Sequence, residues 1–174
     1  MEVNMNAIQF IRSAVEDLHK GFRVEVEPLT LEQMLYKPLD KANTIAFLLW
    51  HSTRSEDVYI HQRIGGGLPL WETEEWHRRF GLDASQGGTG FTDEQVENFK
   101  PSKEALLAYC ERVWEIIPIT LSQLTDEDLD KTPNPDRPNM NTGRMIANFI
   151  LGHSFWHLGE IRFLKGLQGQ PFRA

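Results

Sequence analysis

Cysteine is almost absent. Cys110 is the single thiol in 174 residues, so no intramolecular disulfide can form, and no C-x-x-C or C-x-x-H spacing offers a thiolate clip for a metal. A reducing compartment suits such a chain. Long apolar runs are missing too: no stretch approaches the ~18 consecutive apolar residues that span a bilayer. The first six residues hold no basic segment leading into an apolar one, which is the pattern of a secretory leader. The expectation is a cytoplasmic protein with no membrane partner. Basic charge is also in deficit. With 18 Lys and Arg against 25 Asp and Glu, a net charge of −7 and a pI near 5.4, the surface is ill suited to tracking a phosphate backbone, whose binding rests on clustered cations. No nucleic-acid partner is expected, and Arg78-Arg79 is too short a cluster to change that.

Helical periodicity is what the chain has in quantity. Ile8, Ile11, Val15, Leu18 and Phe22 recur at three- and four-residue spacing and form the stripe of a first amphipathic helix. After Pro28, Thr30-Leu31-Glu32-Gln33 reads as a capping box opening a short turn. A second helix is expected from Asn43 or Thr44 through Leu48, Leu49, Ser52, Glu56 and Ile60 to Ile64, stopped by Gly65-Gly66-Gly67. Residues 68–90 contain Trp71, Trp76 and Phe80 and end in Gly87-Gly88-Thr89-Gly90; they read as a long connection whose aromatics dock on the helices. Thr92-Asp93-Glu94-Gln95 is another capping box. Pro101-Ser102 leads into a third helix with Leu106, Leu107, Cys110, Val113, Ile117 and Leu121, which Pro118 is expected to kink or interrupt. Pro133, Pro135 and Pro138 mark residues 125–141 as a second connection. A fourth helix runs from about Thr142 to Gly166.

Four amphipathic helices without a convincing strand predict an all-α fold, a four-helix bundle with long loop connections after helices two and three. Residues 1–174 are read as one domain, a length at which roughly two-thirds of the unfolded surface can be buried.

Three histidines occupy mid-helix positions. His153 and His157 are four apart, hence one turn apart on one face of the fourth helix, where they can grip a single ion. His51 lies within the second helix beside Leu48, Leu49 and Trp50, where an unpartnered ring would be unfavourable. Spacing alone leaves two readings open, hydrogen-bonded core histidines or metal ligands. His19, His61 and His77 read as surface residues. Glu160, three residues beyond His157, is either an acceptor, weak ligand or general base at the same site, or a surface carboxylate paired with Arg162 or Lys165. Trp50 and Trp156 adjoin these histidines as pocket walls or as packing. Arg54, one turn past His51, could hold a substrate carboxylate or pair at the surface with Glu56 or Asp57.

The segment Ile45-Ala46-Phe47-Leu48-Leu49-Trp50-His51 and the segment Gly152-His153-Ser154-Phe155-Trp156-His157-Leu158-Gly159-Glu160-Ile161 together resemble the DinB-like superfamily of metal-binding four-helix bundles, which includes bacillithiol- and mycothiol-transferase-like proteins. The resemblance spans nearly the whole chain, with the lead-in from Thr30 to Pro38, Leu70-Trp71-Glu72 and the closing Gly166-Leu167-Gln168-Gly169. It implies that His51, His153 and His157 bind a divalent transition metal, and the imidazole donors favour zinc, nickel or iron over hard ions. Many members carry H-x-G-Q after the last ligand, whereas this chain carries His157-Leu158-Gly159-Glu160. Iron-dependent sulfoxide synthases have H-x-x-x-H-x-E, with the glutamate one residue earlier than here. The resemblance implies transfer of a low-molecular-weight thiol to an electrophilic substrate, with the metal holding the thiol sulfur. Metal-dependent hydrolysis with Glu160 as base, and a non-catalytic stress-related metal-binding bundle, remain alternatives. It also implies a homodimer.

Overall fold

Helix α1 (Ala7–Val26) starts at Asn6, whose side chain accepts from the Gln9 N–H while Gln9 reaches back. That reciprocal cap satisfies two of the free donors at the helix start. The computed structural model describes residues 5–134 and 136–171, so Pro135 and residues 1–4 of the segment read for a leader lie outside the described residues. Val15, Leu18 and Phe22 are fully buried along the expected stripe. The capping boxes at Thr30 and Thr92 both form, opening α2 (Leu31–Leu35) and α6 (Asp93–Asn98). Thr44 rather than Asn43 caps α3 (Ile45–Asp57).

The 68–90 connection is partly helical, with α4 (Leu70–Thr73) and α5 (Trp76–Phe80). As expected, its aromatics dock inward: Trp71 is fully buried and meets the Trp50, Phe80 and Tyr109 rings. Helix α7 (Lys103–Ser122) continues four residues past Pro118 instead of breaking there. The proline-rich connection holds a 3₁₀ turn, Asp126–Asp130, before α8 (Thr142–Met145) and α9 (His153–Leu167). No strand occurs among the described residues, and the fold is all-α.

Two π-helical segments were not foreseen: Val58–Ile64 prolongs α3, and Ile146–Gly152 joins α8 to α9. Buried Ile146, Ile150, Ser154 and Leu158 recur every four residues, a spacing that drifts around a regular 3.6-residue helix. The wider π turn offsets part of that drift and keeps the residues after it facing inward. The two π segments touch through Tyr59 and Phe149, whose rings stack 4.2 Å apart and nearly parallel.

Helix α3 packs on α9 and α7, and α1 packs on α7 and α9, so these four long elements close a ring. Leu48, Leu49, Trp50, Leu106, Tyr109, Val113, Ile117, Leu158 and Ile161 fill its interior. Each such side chain contributes about 1.5–3 kcal/mol by leaving water. The α3–α9 contact brings His51 to His153. No helix among the described residues is long and apolar enough to cross a membrane.

Candidate metal centre

Consecutive residues on α3 and α9 pair off across their contact. His51 meets His153, with Nε2 atoms 3.2 Å apart, and Ser52 donates to Ser154 at 2.8 Å. His157, one turn along α9, brings its Nε2 to 3.0 Å from that of His153. The three histidines form a half-buried group whose candidate ligand atoms all lie within 4.8 Å of one another. The sequence placed these three together, and the structure brings them together.

Hydrogen bonds fix which nitrogen of two of the rings faces the centre. His51 Nδ1 lies 2.5 Å from the Gly87 carbonyl oxygen, which can only accept. His157 Nδ1 lies 2.6 Å from Glu160 Oε2. Both rings therefore carry a proton on Nδ1, and in their neutral form, the form that binds metal, they turn an Nε2 lone pair inward. His153 Nε2 faces both lone pairs and has at most one proton to give, while its buried Nδ1 has no partner. One close nitrogen contact thus stays unsatisfied, an arrangement that disfavours the empty group and favours a cation.

The spacing fits such a cation. Tetrahedral imidazole ligands at ~2.0–2.1 Å from zinc would sit about 3.3 Å from one another, close to the observed 3.0 and 3.2 Å. The protonation state fits too. Burial lowers the pKa of His51, the Gly87 hydrogen bond opposes part of that shift, and proximity to His157 makes a second charge in the group less favourable still. His153 is pushed down to about 4, by burial first and then by His157 and His51. Both are neutral at pH 7, as ligands must be.

A cavity of about 640 Å³ opens onto the three rings, lined mainly by Phe47, Tyr59, Phe91 and Phe149, with Arg54, Ser55 and the Gly87–Gly90 backbone. Among the described residues, no carboxylate lines it. Glu160 faces a separate, more apolar groove beside Leu39, Phe163 and Leu167.

Several neighbours follow one of their sequence readings or depart from it. Glu160 is paired with His157, and Arg162 and Lys165 go instead to the buried Glu25. Trp156 is 70% exposed and is not among the residues lining this cavity, while Trp50 is wholly inside the core. Arg54 is buried rather than at the surface: it lies over the Trp71 ring, donates to the Gln86 carbonyl at 3.3 Å and pairs with Asp57 at 3.4 Å. His19 is also buried, bonded to Glu56 at 2.8 Å and stacked on Trp114. Ser154 donates to the other Glu56 oxygen at 2.6 Å, completing a chain from Ser52 to His19. Asp57 accepts from the Leu70 and Trp71 N–H groups, Tyr109 and His61 at 2.7 to 2.9 Å. Burial pushes its pKa up, but the hydrogen bonds from His61, Trp71 and Leu70 and the Arg54 charge outweigh it, and the net shift is downward. Cys110 is fully buried, and desolvation pushes its thiol pKa up.

The Gly87–Gly90 loop, read from sequence only as the end of a connection, is the part of the site that sequence reasoning missed. Its available signal was three glycines in four residues, a composition that permits close backbone approach.

Comparison with known proteins bears on the fold and the family. No curated protein matches the chain. Among solved structures it is similar to a conserved protein from Enterococcus faecalis, with a TM-score of 0.81 and 19% identity over 95% of this chain and 99% of that one. At that identity the likeness concerns the fold alone. A family model described as the DinB superfamily matches residues 14–161, most of the length, and the chain therefore belongs to the DinB superfamily.

Proposed function

We propose that this protein is a four-helix bundle, folded as one domain, that binds a divalent transition metal through the Nε2 atoms of His51, His153 and His157, and that it uses the metal in transferring a small-molecule thiol to an electrophile. The observation that carries the metal reading is the convergence of three imidazole nitrogens at 3.0 and 3.2 Å with too few protons to satisfy them. Zinc, nickel and iron all suit such donors. A divalent ion held by three neutral imidazoles keeps open positions and supplies the Lewis acidity that holds a thiol sulfur deprotonated near neutral pH.

The chain's own residues supply the rest. Glu160 orients His157 by accepting its Nδ1–H and strengthens it as a donor; because Glu160 does not line the cavity, this role is favoured over that of general base. A metal on three imidazoles would lower the pKa of a bound water as well as of a bound thiol, so neither reaction calls for a carboxylate in the cavity; the resemblance to thiol-transferase-like members of the superfamily is what favours thiol transfer over hydrolysis. Cys110 is buried away from the cavity and is not the nucleophile. Phe47, Phe91 and Phe149 exclude water around the reacting groups.

We further propose a homodimer, with Trp156, Phe163 and Leu167, exposed at helical spacing on α9, as its contact stripe. Light scattering at micromolar concentration tests it, and a monomer contradicts it. For the activity, metal-reconstituted protein is assayed for loss of a free thiol with an electrophilic bimane. The reading expects turnover that disappears in His157→Ala; turnover of ester substrates without thiol consumption would favour the hydrolase instead.

A further inference from the structure

His157 takes its orienting partner from its own helix, three residues on. His51 takes its partner from a loop 36 residues later in the chain. The position and tautomer of His51 therefore depend on where that loop sits, and the loop is held tightly.

The loop is tied to α3 by adjacent carbonyls. Gln86 O accepts from Arg54 Nε at 3.3 Å and Gly87 O from His51 Nδ1 at 2.5 Å, so two side chains three residues apart on α3 clasp successive peptides. The Phe91 N–H closes a turn on Gly88 O at 3.1 Å, and the Phe91 ring lies 5.8 Å from both Phe47 and Trp50. Gly88 sits at φ +88°, a region that only glycine enters freely. A Cβ there would lie 2.8 Å from His51 Nδ1, 3.0 Å from Trp50 and 3.2 Å from Phe47. Trp50 is fully buried and cannot step aside, and Phe47 stacks parallel to His51 at 5.8 Å, so relief of the contact falls on the His51 ring and its loop.

We propose that Gly88 is a positioning residue for the metal centre: by letting the 86–91 loop close directly on the His51 ring, it places the Gly87 carbonyl that fixes the tautomer and angle of this ligand. The proposal rests on the metal reading above. Because the loop also lines the cavity, the element that sets one ligand is the element a substrate would touch.

Gly66 provides an internal control away from the cavity. It has a similar left-handed backbone, φ +71°, but nothing within 4 Å of an added Cβ. Gly88→Ala and Gly66→Ala thus share the backbone strain, and only the first presses on His51. The test measures Zn²⁺ affinity of the full chain by competition with a chromophoric chelator, and the imidazole ¹H–¹⁵N spectrum of the metal-free protein. Gly88→Ala is expected to lose about 10–100-fold in affinity, the range typical for removing an orienting partner, together with the His51 Nδ1–H resonance, while Gly66→Ala keeps both. Equal affinities in the two variants, or a His51 Nδ1–H signal that persists in Gly88→Ala, would overturn the proposal. If the unmutated protein binds no Zn²⁺, nickel or iron, the metal reading fails, and the imidazole spectra alone decide the role of the loop. If Gly88→Ala does not fold, the unmutated spectrum decides: a proton on His51 Nε2 instead of Nδ1 refutes it.

Discussion

Two polar clusters lie one rung apart across the α3–α9 contact, and they differ in whether their hydrogen bonds close. Ser52, Ser154, Glu56 and His19 form a buried chain in which both Glu56 oxygens are engaged. His51, His153 and His157 form a half-buried group that opens on a cavity and leaves nitrogen contacts unsatisfied. Neighbouring residues of the same helices, 51 and 52 on α3 and 153 and 154 on α9, thus serve opposite ends. The closed chain holds α3 and α9 in register, and that register brings His51 opposite His153. Burial of a polar group alone points to neither role; an incomplete set of partners is what marks a binding site.

The comparison breaks first on the closed side. Asp57, beside Glu56, gathers five donors including Arg54. Asp57→Asn leaves Arg54 buried without its countercharge and is expected to cost about 3–5 kcal/mol at pH 7, measured by urea unfolding. Because the folded-state pKa of Asp57 is lowered, its contribution is complete above the unfolded value near 3.8 and is lost as pH falls through the folded one. The gap between wild type and Asp57→Asn should therefore narrow below about pH 4. Glu56→Gln keeps the shape of the chain but not its charge, and should cost about 1–3 kcal/mol by the same measurement.

On the open side the expected effects move to binding. Glu160→Gln should weaken metal affinity about 10–100-fold while metal-free stability stays within about 0.5 kcal/mol, since Glu160 is only partly buried. A large loss of stability without any loss of affinity would place Glu160 with the closed cluster. The smallest effect concerns Cys110. Its burial and raised pKa predict a native thiol that stays unmodified by an aromatic disulfide reagent until the protein is unfolded. Rapid labelling of the native state would put a second nucleophile within reach of solvent.

How far the sequence foretold this follows the range of the interactions. The capping boxes at Thr30 and Thr92 were legible because every partner lies within three residues. So were the inward stripe of α1 and the one-face placement of His153 and His157, which helical periodicity dictates. His19 was read as a surface group, and neither reading of Arg54 foresaw its burial, because their partners, Glu56 across the helices and the Gln86 carbonyl on the loop, are set by tertiary packing. Trp156 was expected beside the site through its adjacency to His157, yet one residue along a helix rotates a side chain by about 100°, and it points outward. Glu160 shared a face with His157, so both of its readings were open until its partner was seen. The π segments left no readable mark beyond the four-residue spacing of Ile146, Ile150, Ser154 and Leu158.

The central claim is that the open histidine cluster is a metal site and its closed neighbour is not. Metal analysis of untagged protein, purified and then reconstituted with Zn²⁺, Ni²⁺ or Fe²⁺, tests it most directly when set beside His157→Ala. The account predicts one ion per chain in the unmutated protein and none in the variant, with helical content and metal-free melting unchanged. No stoichiometric ion after reconstitution, or full retention of the ion by His157→Ala, would contradict it.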